Sequence, residues 1–485
     1  MKQLSDFISS KHPETLIAGL EFDSRRIEKN WAFFAFAPVS GGRPGDLFIN
    51  QAISSGAAAV ICRDSEPNRA AMECNPGTEF IFTSSPQAEF TRWCSIFWDR
   101  PQDSFPIIGV TGTDGKTTTC SFLYQILNTL GIRTALLSTV SMDSGSGIKS
   151  SPYRQSTPEA DRIFSFLSDC RASKVQAVVM ETTSHSLSPL TSRLSQISFA
   201  GAVFTTISSE HLEFHGTLEK YVDAKMNLAR QTSREGFVIY PSCSQYGSLI
   251  RSSFKGDNIQ PCDVSSLTIL SRTIDQTVLQ EDCMGVSFCY GPEAFLQNAL
   301  EALMAARAFT GRQIPLSILS TIVPVRGRME TKRTTRGVFI VDFAHTADAF
   351  SRLFCFVKQM RPQCRITAVF SSGGHRDIDK RSKMGIIASK MCNTMILTSE
   401  DPRDEGFEKI TSDILSKADT RDCSVLLVPD RAEAIRKAVS ISAPGTVTLL
   451  LGKGHEKTIE FENGRSIAWN ESEVLASALK EAGIE

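Results

Sequence analysis

Residues 109–119 read GVTGTDGKTTT; they follow an apolar run and open a helical period. Glycines at 112 and 115 let the backbone curl so that its amides, and the helix N-terminus behind them, face phosphate oxygens. In such a loop Lys116 adds a point charge and Thr117 a hydroxyl suited to magnesium. The glycine spacing misses the general phosphate loop by one residue, yet strand, turn, GKT and helix agree. Gly112, Thr113, Asp114, Gly115, Lys116, Thr117 and Thr118 are therefore the candidate nucleotide-binding residues.

Two further strand ends carry complementary groups. METTSHSL places Glu181 at one, and TTISSEHLEFHGT places His211 after the next. A single strand-end carboxylate or histidine is more often structural. Together with Thr117, this pair supplies oxygen and imidazole ligands for a divalent ion beside ATP, with water completing the shell. Of the seven histidines, His12 alone lies outside polar strand-end or glycine-rich segments. A third feature is TSEDPRDEGF at 398–407, an acidic run with one arginine, Arg403, directly behind Pro402. Mixed charge of this kind usually makes a solvated face.

Such residues need elements to hold them. The short β-branched runs PIIGVTG, QAVVMET, GAVFTTI, GVFIVDF, RITAVFS, NTMILTS and TVTLLLG are interspersed with helical periods such as KTTTCSFLYQILNTLG. The pattern predicts an α/β protein around mostly parallel sheets. In open sheets of this type, ligands bind beyond the carboxyl ends of the strands. The length of 485 residues suggests about three domains. WDRPQDSFP, with two prolines, marks a linker ending near residue 103, and the basic VPVRGRMETKRTTRG marks a second before residue 337. The expected domains are 1–103, 104–331 and 332–485.

Composition is that of a globular protein, 41% hydrophobic and 22% charged. A net charge of −1 disfavours a nucleic-acid footprint or an anionic membrane surface and leaves small anionic substrates. The start, MKQLSDFISSKHPETL, lacks the basic head and apolar stretch of a signal peptide, and no run of about eighteen apolar residues occurs. A cytoplasmic protein without membrane insertion is expected. Thirteen cysteines, none in a CxxC pair, sit in segments such as CSIFW and FCFVK and are expected to be small core residues.

The motifs, in order, resemble the Mur ligases of peptidoglycan synthesis, and within them the MurE branch that adds the third residue of the stem peptide. They are DSRR at 23–26, GTDGKTT at 112–118, STP at 156–158, ETTSHSL at 181–187, EHLEFHGTLEKYVDAK at 210–225, GRME at 327–330, DFAHTADA at 342–349, GGHRD at 373–377, EDPRDE at 400–405 and GKGHE at 452–456. The resemblance implies an N-terminal α/β domain for the UDP end of the substrate, a central P-loop-type ATPase and a C-terminal Rossmann-like domain for the incoming amino acid. It also implies an ATP- and Mg2+-dependent amide ligase. ATP phosphorylates a carboxylate of UDP-N-acetylmuramoyl-L-alanyl-D-glutamate, an amine of meso-diaminopimelate attacks the acyl phosphate, and a tetrahedral intermediate collapses to the amide. A carboxylate is a poor electrophile, so this chemistry needs cations around the transferring phosphoryl group and exclusion of water.

By the same likeness Lys116 lies on the phosphates, while Thr117, Glu181 and His211 hold magnesium. Lys225, in YVDAK, matches a lysine that the family carbamylates to present a carboxylate-like group to a second magnesium. Asn298, Arg328 and Asp342 match contacts to adenine, phosphate and ribose. Ser24 matches a UDP contact, and Ser156, Thr157, Pro158, Ser184 and Arg193 match the muramoyl-dipeptide side. Arg376, Asp401, Pro402, Arg403, Gly452 and Glu456 match the diaminopimelate pocket. There a DNPR motif supplies an arginine for the far carboxylate, which lysine lacks; a planar guanidinium suits it through two parallel hydrogen bonds.

The sequence departs from the family pattern at several positions. Asp401 and Asp114 replace asparagines, Thr206 stands where asparagine is common, Ala347 replaces a proline, and GPEAFLQNAL differs around Asn298. Two extra residues precede Arg193, and VIYPSCS lacks the NADD-like stretch. The other readings are an L-lysine-adding ligase, a folylpolyglutamate synthetase-like ligase, and a nucleotide-binding protein without ligase activity. DSRR, FFAF and the glycine-rich loop at 41–45 favour a UDP-binding domain over the folate enzyme. A monomer is expected.

Overall fold

Each of the seven β-branched runs is a strand: Ile107–Thr111, Ala177–Glu181, Phe199–Phe204, Gly337–Asp342, Arg365–Phe370, Thr394–Leu397 and Thr446–Leu451. The computed structural model describes every residue except 11, 40, 41, 154, 209, 211, 376, 377 and 485, so the candidates His211 and Arg376 lie outside the described residues. The chain forms two compact units. One comprises Met1–Ser266 with Gln297–Thr321, the other Leu267–Leu296 with Ile322–Glu485.

In the first unit a four-stranded parallel sheet runs in the order Gly19–Glu21, Trp31–Phe34, Ala57–Cys62 and Glu79–Phe82. An eight-stranded sheet follows it in sequence. Its six parallel strands lie in the order Thr134–Leu137, Ala177–Glu181, Ile107–Thr111, Phe199–Phe204, Thr232–Pro241 and Ile259–Cys262. The first of these in sequence, Ile107–Thr111, thus sits inside the sheet, where the strand order reverses. Its carboxyl end opens into the crevice that such a switch point creates.

One apolar core serves both sheets of this unit. Phe34, Phe90 and Trp93 belong to the same buried cluster as Ile107, Phe164 and Met180. Trp93 stacks on Phe7 with ring centroids 4.3 Å apart. The helix that carries it, Pro86–Phe97, has proline in its first turn and is capped by Ser85, which accepts a hydrogen bond from the Ala88 amide. That helix packs on the helix Ala160–Ala172 of the central segment.

The second unit is built on a six-stranded sheet, ordered Glu330–Thr334, Gly337–Asp342, Thr446–Leu451, Arg365–Phe370, Thr394–Leu397 and Ser424–Leu427, parallel except for its first strand. The basic segment expected to be a linker therefore supplies, over Glu330–Thr334, an antiparallel edge strand. An edge strand keeps polar side chains in water, so it shows no apolar alternation. One of its cations is matched locally: Arg333 Nε donates to Asp275 Oδ2 at 2.9 Å. A three-stranded antiparallel sheet, Ile269–Arg272, Thr277–Glu281 and Met284–Phe288, belongs to the same unit.

All thirteen cysteines are unbridged. Eight, Cys94 of CSIFW among them, are buried as expected and Cys289 is half-buried, but Cys74, Cys243, Cys283 and Cys355 of FCFVK are exposed. The helix Ala347–Met360 turns Phe350, Leu353, Phe354 and Val357 inward, and Cys355 falls on its other face.

A fully buried ion pair ties the last helix to the second sheet. Arg431 donates to Glu471 from Nε (2.9 Å) and Nη2 (2.6 Å), with both side chains at 0% exposure, and Nη2 also reaches the Leu451 carbonyl at 2.8 Å. Removing one partner strands the other charge in the core. Arg431→Ala is expected to lower unfolding free energy by about 3–5 kcal/mol in urea titration; a change under about 1 kcal/mol would show that the pair is not holding the helix.

Candidate active site

The loop after Ile107–Thr111 is shaped by two neighbours that only the strand order could bring to it. On one side Thr205 Oγ1 donates to the carbonyls of Asp114 (2.5 Å) and Thr111 (3.2 Å). Asp114 also bridges to Thr206, whose carbonyl accepts the Thr113 amide at 2.6 Å. Gly112 is required here because a Cβ would fall 1.9 Å from Thr205 Oγ1. Gly115, at φ +91°, ends the turn and precedes the helix Lys116–Thr129; a Cβ there would lie 2.6 Å from Asn298 Oδ1. Asn298, the expected adenine contact, is thus beside the loop despite its altered local motif.

Glu181 occupies the other side, at the end of the adjacent strand, and is 1% exposed. Thr117 Oγ1 lies 3.0 and 3.2 Å from its two oxygens, and Thr139 donates to Oε2 from its amide (3.0 Å) and hydroxyl (2.9 Å). Ser156 Oγ is 2.7 Å from Thr139 Oγ1, and Thr157 Oγ1 donates to the Glu181 carbonyl at 2.9 Å. A buried carboxylate beside three hydroxyls is a hard oxygen set that fits magnesium. Among the described residues no three histidine, cysteine or acidic side chains converge on one point. A magnesium ion held by Glu181 and Thr117 would therefore take its remaining ligands from phosphate oxygens, water and residues outside that set.

Two lysines meet the loop. Lys116 Nζ folds back onto the carbonyls of Gly112 (3.1 Å) and Thr113 (2.7 Å). Lys225, 1% exposed on the helix Leu218–Arg230, donates to the same Gly112 carbonyl at 2.6 Å and lies 4.5 Å from the Tyr221 ring centroid. Burial, and next the positive charge of Lys116, push the Lys225 amine well below its ordinary value, while Glu210, Asp114 and Glu181 oppose them. Tyr221 supports the loop in turn through a 2.7 Å hydrogen bond with Thr113 Oγ1.

On the expected substrate side, Ser184 is 2% exposed and pairs with His215 Nε2 at 3.0 Å. Pro158 is buried beside Thr157. Arg193 is anchored to Gln155 Oε1 (2.9 Å), the Thr157 carbonyl (3.1 Å) and the Glu159 carboxylate. Ser24, in the N-terminal segment, is 5% exposed and donates to Gln51 Oε1 at 2.9 Å.

The second unit gathers the remaining candidates. Asp342 accepts the amides of Met329 and Ala344, each at 2.8 Å, and the Arg328 guanidinium lies 4.6 Å from the Phe343 ring centroid. Arg403 has a left-handed backbone, φ +55°, secured by its amide on the Glu460 carbonyl (3.1 Å) and by Nη1 on the Gly374 carbonyl (2.5 Å). Asp401 Oδ1 accepts from Lys453 Nζ (2.9 Å) and the Glu460 amide (3.0 Å). Lys453, fully buried, also contacts Glu456 at 2.5 Å. Burial raises the Glu456 carboxyl to about 6, with Lys453 opposing. Gly452, at φ +98°, could not carry a Cβ, which would lie 2.5 Å from Glu400 Oε2. Pro402 packs its carbonyl against Gly374, where a Cβ would be 2.0 Å away. Residues 373–375, leading to Arg376, are held by Arg381, which donates to both Glu405 oxygens at 2.7 and 2.8 Å, and by the His375 amide on Glu405 at 3.0 Å.

Sequence reasoning did not single out Thr139, Thr205, Tyr221 or Lys453. Thr139 and Thr205 follow strand ends, a signal that was available; Lys453 lay inside GKGHE unassigned.

Residues 110–294 match the family model for the Mur ligase middle domain, and residues 327–454 match that for the Mur ligase glutamate ligase domain. The chain is 33% identical to a UDP-N-acetylmuramyl-tripeptide synthetase of Borreliella burgdorferi, over 96% of this chain and 93% of that protein. It is 31% identical to a UDP-N-acetylmuramoyl-L-alanyl-D-glutamate 2,6-diaminopimelate ligase of Chlorobium phaeobacteroides, over 96% and 92% of the two chains. A solved structure of a ligase with that same diaminopimelate activity in its description superposes with a TM-score of 0.63 at 25% identity, covering 98% of this chain and 97% of the other.

Gly112→Ala is expected to weaken ATP binding by about tenfold or more, because the methyl group and Thr205 cannot both keep their places. Calorimetric titration measures it, with circular dichroism as the control for folding. Wild-type affinity in that variant would remove the loop from the nucleotide site.

Proposed function

The chain belongs to the Mur ligase family of ATP-dependent ligases, and we propose that the amino acid it adds to UDP-N-acetylmuramoyl-L-alanyl-D-glutamate is meso-2,6-diaminopimelate. The coarser activity follows from the family: an ATP-dependent ligase that joins an amino acid to a UDP-N-acetylmuramoyl peptide in peptidoglycan precursor synthesis. The observation that carries the finer reading is Arg403, whose left-handed backbone and two carbonyl contacts keep a guanidinium in a preset position. A second carboxylate on the incoming residue is the group such a fork recognises.

On this reading the loop amides and the N-terminus of Lys116–Thr129 receive the phosphates, and Lys116 exchanges its two carbonyl partners for phosphate oxygens. Magnesium, held by Glu181, Thr117 and His211, would neutralise charge on the transferring phosphoryl group. Asn298 meets the adenine, Arg328 a phosphate and Asp342 the ribose. Ser24 serves the UDP end, and Ser156, Thr157, Pro158, Ser184 and Arg193 the muramoyl dipeptide. Asp401, Gly452 and Glu456, with Arg376, hold the incoming amino acid.

Lys225 has a chemistry of its own. An amine whose burial favours the uncharged form has a free lone pair, so Nζ can attack carbon dioxide, form an N–C bond and release one proton to leave an N-carboxylate. We place the enzyme in the cytoplasm, where ATP is available and thirteen unbridged thiols stay reduced. No described helix is long and apolar enough to cross a membrane.

The test is ATP-dependent ligation with meso-diaminopimelate and L-lysine side by side, following product mass. Diaminopimelate is expected to be preferred, and Arg403→Ala to lower its kcat/KM by roughly 10- to 100-fold, the cost of one charged hydrogen-bonding group. Preference for lysine, or a selectivity unchanged by that substitution, would overturn the role of Arg403 and leave the ligase class intact. No product with either amine, from folded protein that binds ATP, would favour a nucleotide-binding protein without ligase activity.

A further inference from the structure

The helix that brings Asn298 to the nucleotide loop carries, one turn on, a carboxyl group that the chemistry above does not use. Glu301 is 0% exposed. Its Oε1 accepts Gln297 Nε2 at 3.0 Å, while Oε2 has no partner. Across from it on the loop helix is Thr119, also fully buried and with its Oγ1 unpartnered, yet near enough to influence the carboxyl. Gln297 leads on to the strand Ile259–Cys262, reaching the Cys262 carbonyl at 3.5 Å.

Among the described residues the groups facing Glu301 are uncharged: Gln297 on its own helix, Thr119 on the loop helix, and the Cys262 thiol, which burial pushes up and the Glu301 charge would push further. A carboxylate in that company has no described cation to receive it, and an isolated buried charge is strongly disfavoured. Thr119 and Gln297 can each donate to the carboxyl in either form and so favour its charge, but burial outweighs them; the protonated acid keeps both contacts without a buried charge. Glu301 also lies three residues after Asn298, whose Oδ1 meets the loop at Gly115.

We propose that Glu301 is a positioning residue of the nucleotide site: as an uncharged acid it links the Asn298 helix to the loop helix at Thr119 and so sets where Asn298 meets Gly115. The proposal rests on Gly112–Thr118 being the nucleotide loop. It adds a proton to that loop's support. Burial raises the Glu301 carboxyl from 4.5 to about 8. Because the folded form holds its proton more tightly than the unfolded chain, this group's contribution to stability falls as pH rises from about 4.5 to about 8 and is constant above that. Above about pH 8 the folded protein must carry an uncompensated buried charge at this contact, which strains the link between the two helices.

The experiment is calorimetric titration of the full chain with magnesium-ATP from about pH 6 to about pH 9, for wild type, Glu301→Gln and Glu301→Ala, with steady-state KM for ATP alongside. Wild-type affinity is expected to fall about tenfold across the alkaline end of that range. Glu301→Gln keeps an uncharged donor and acceptor, so it should rescue binding near pH 7 and remove the alkaline fall. Glu301→Ala should raise KM for ATP several-fold below about pH 8, with kcat little changed, and the gap to wild type should close as the wild-type carboxyl ionises. Identical pH profiles for wild type and Glu301→Gln, or equal losses in both variants, would overturn the proposal. Absence of ATP binding by wild type at any pH would instead overturn the nucleotide-loop assignment beneath it.

Discussion

A carboxylate buried at a strand end must be satisfied, and at Glu181 that requirement organises the first unit. Its side chain collects the Thr117 hydroxyl and both donors of Thr139. Its main-chain carbonyl collects Thr157, whose hydroxyl oxygen accepts the Thr183 amide at 3.1 Å. Four segments distant in sequence therefore share one register: the loop helix, the turn at 139, the STP turn and the start of Ser184–Leu187. Each donor left without this acceptor would be a buried polar group with nowhere to turn. Among the described residues, the groups that hydrogen-bond the Glu181 carboxylate are the Thr117 hydroxyl and the Thr139 amide and hydroxyl, a set that fits the cation proposed for it.

The strands were legible because β-branched residues buried on both faces give continuous apolar runs. The loop was legible because glycines, lysine and threonine lie within eight consecutive residues, 112–119. What could not be read was lateral order. Thr205 and Thr139 touch the loop and Glu181 only because the strand Ile107–Thr111 lies between Ala177–Glu181 and Phe199–Phe204, a pairing of residues roughly seventy to ninety positions apart that no local pattern encodes. The edge strand Glu330–Thr334 looks like a linker in the sequence for the converse reason, that a solvated edge needs no apolar face. Cys355 misled through neighbours that are apolar while its own angular position on the helix is outward.

The second unit shows how one charge substitution is absorbed. Asp401 stands where the family pattern has asparagine, and an aspartate there would repel Glu456 and Glu400 if left alone. Lys453 lies between Asp401 and Glu456 and contacts both. The same Asp401 oxygen receives the Glu460 amide, and the Glu460 carbonyl receives Arg403. The turn that presents the guanidinium is therefore tied through a cation and two backbone contacts, and its geometry depends on ionic as well as peptide hydrogen bonds.

The shared core of the first unit has a consequence for inheritance. Trp93 and Phe90 belong to the same buried cluster as Phe164 and Met180, and their helix packs on Ala160–Ala172. The sheet that would receive the nucleotide sugar is therefore not a cassette. A recombined chain that exchanged this sheet for a foreign one would have to import the complementary face of the central helix with it, or begin life with an open hydrophobic seam. The N-terminal sheet and the loop at 112–118 are thus constrained to diverge together, through core side chains far from either proposed ligand.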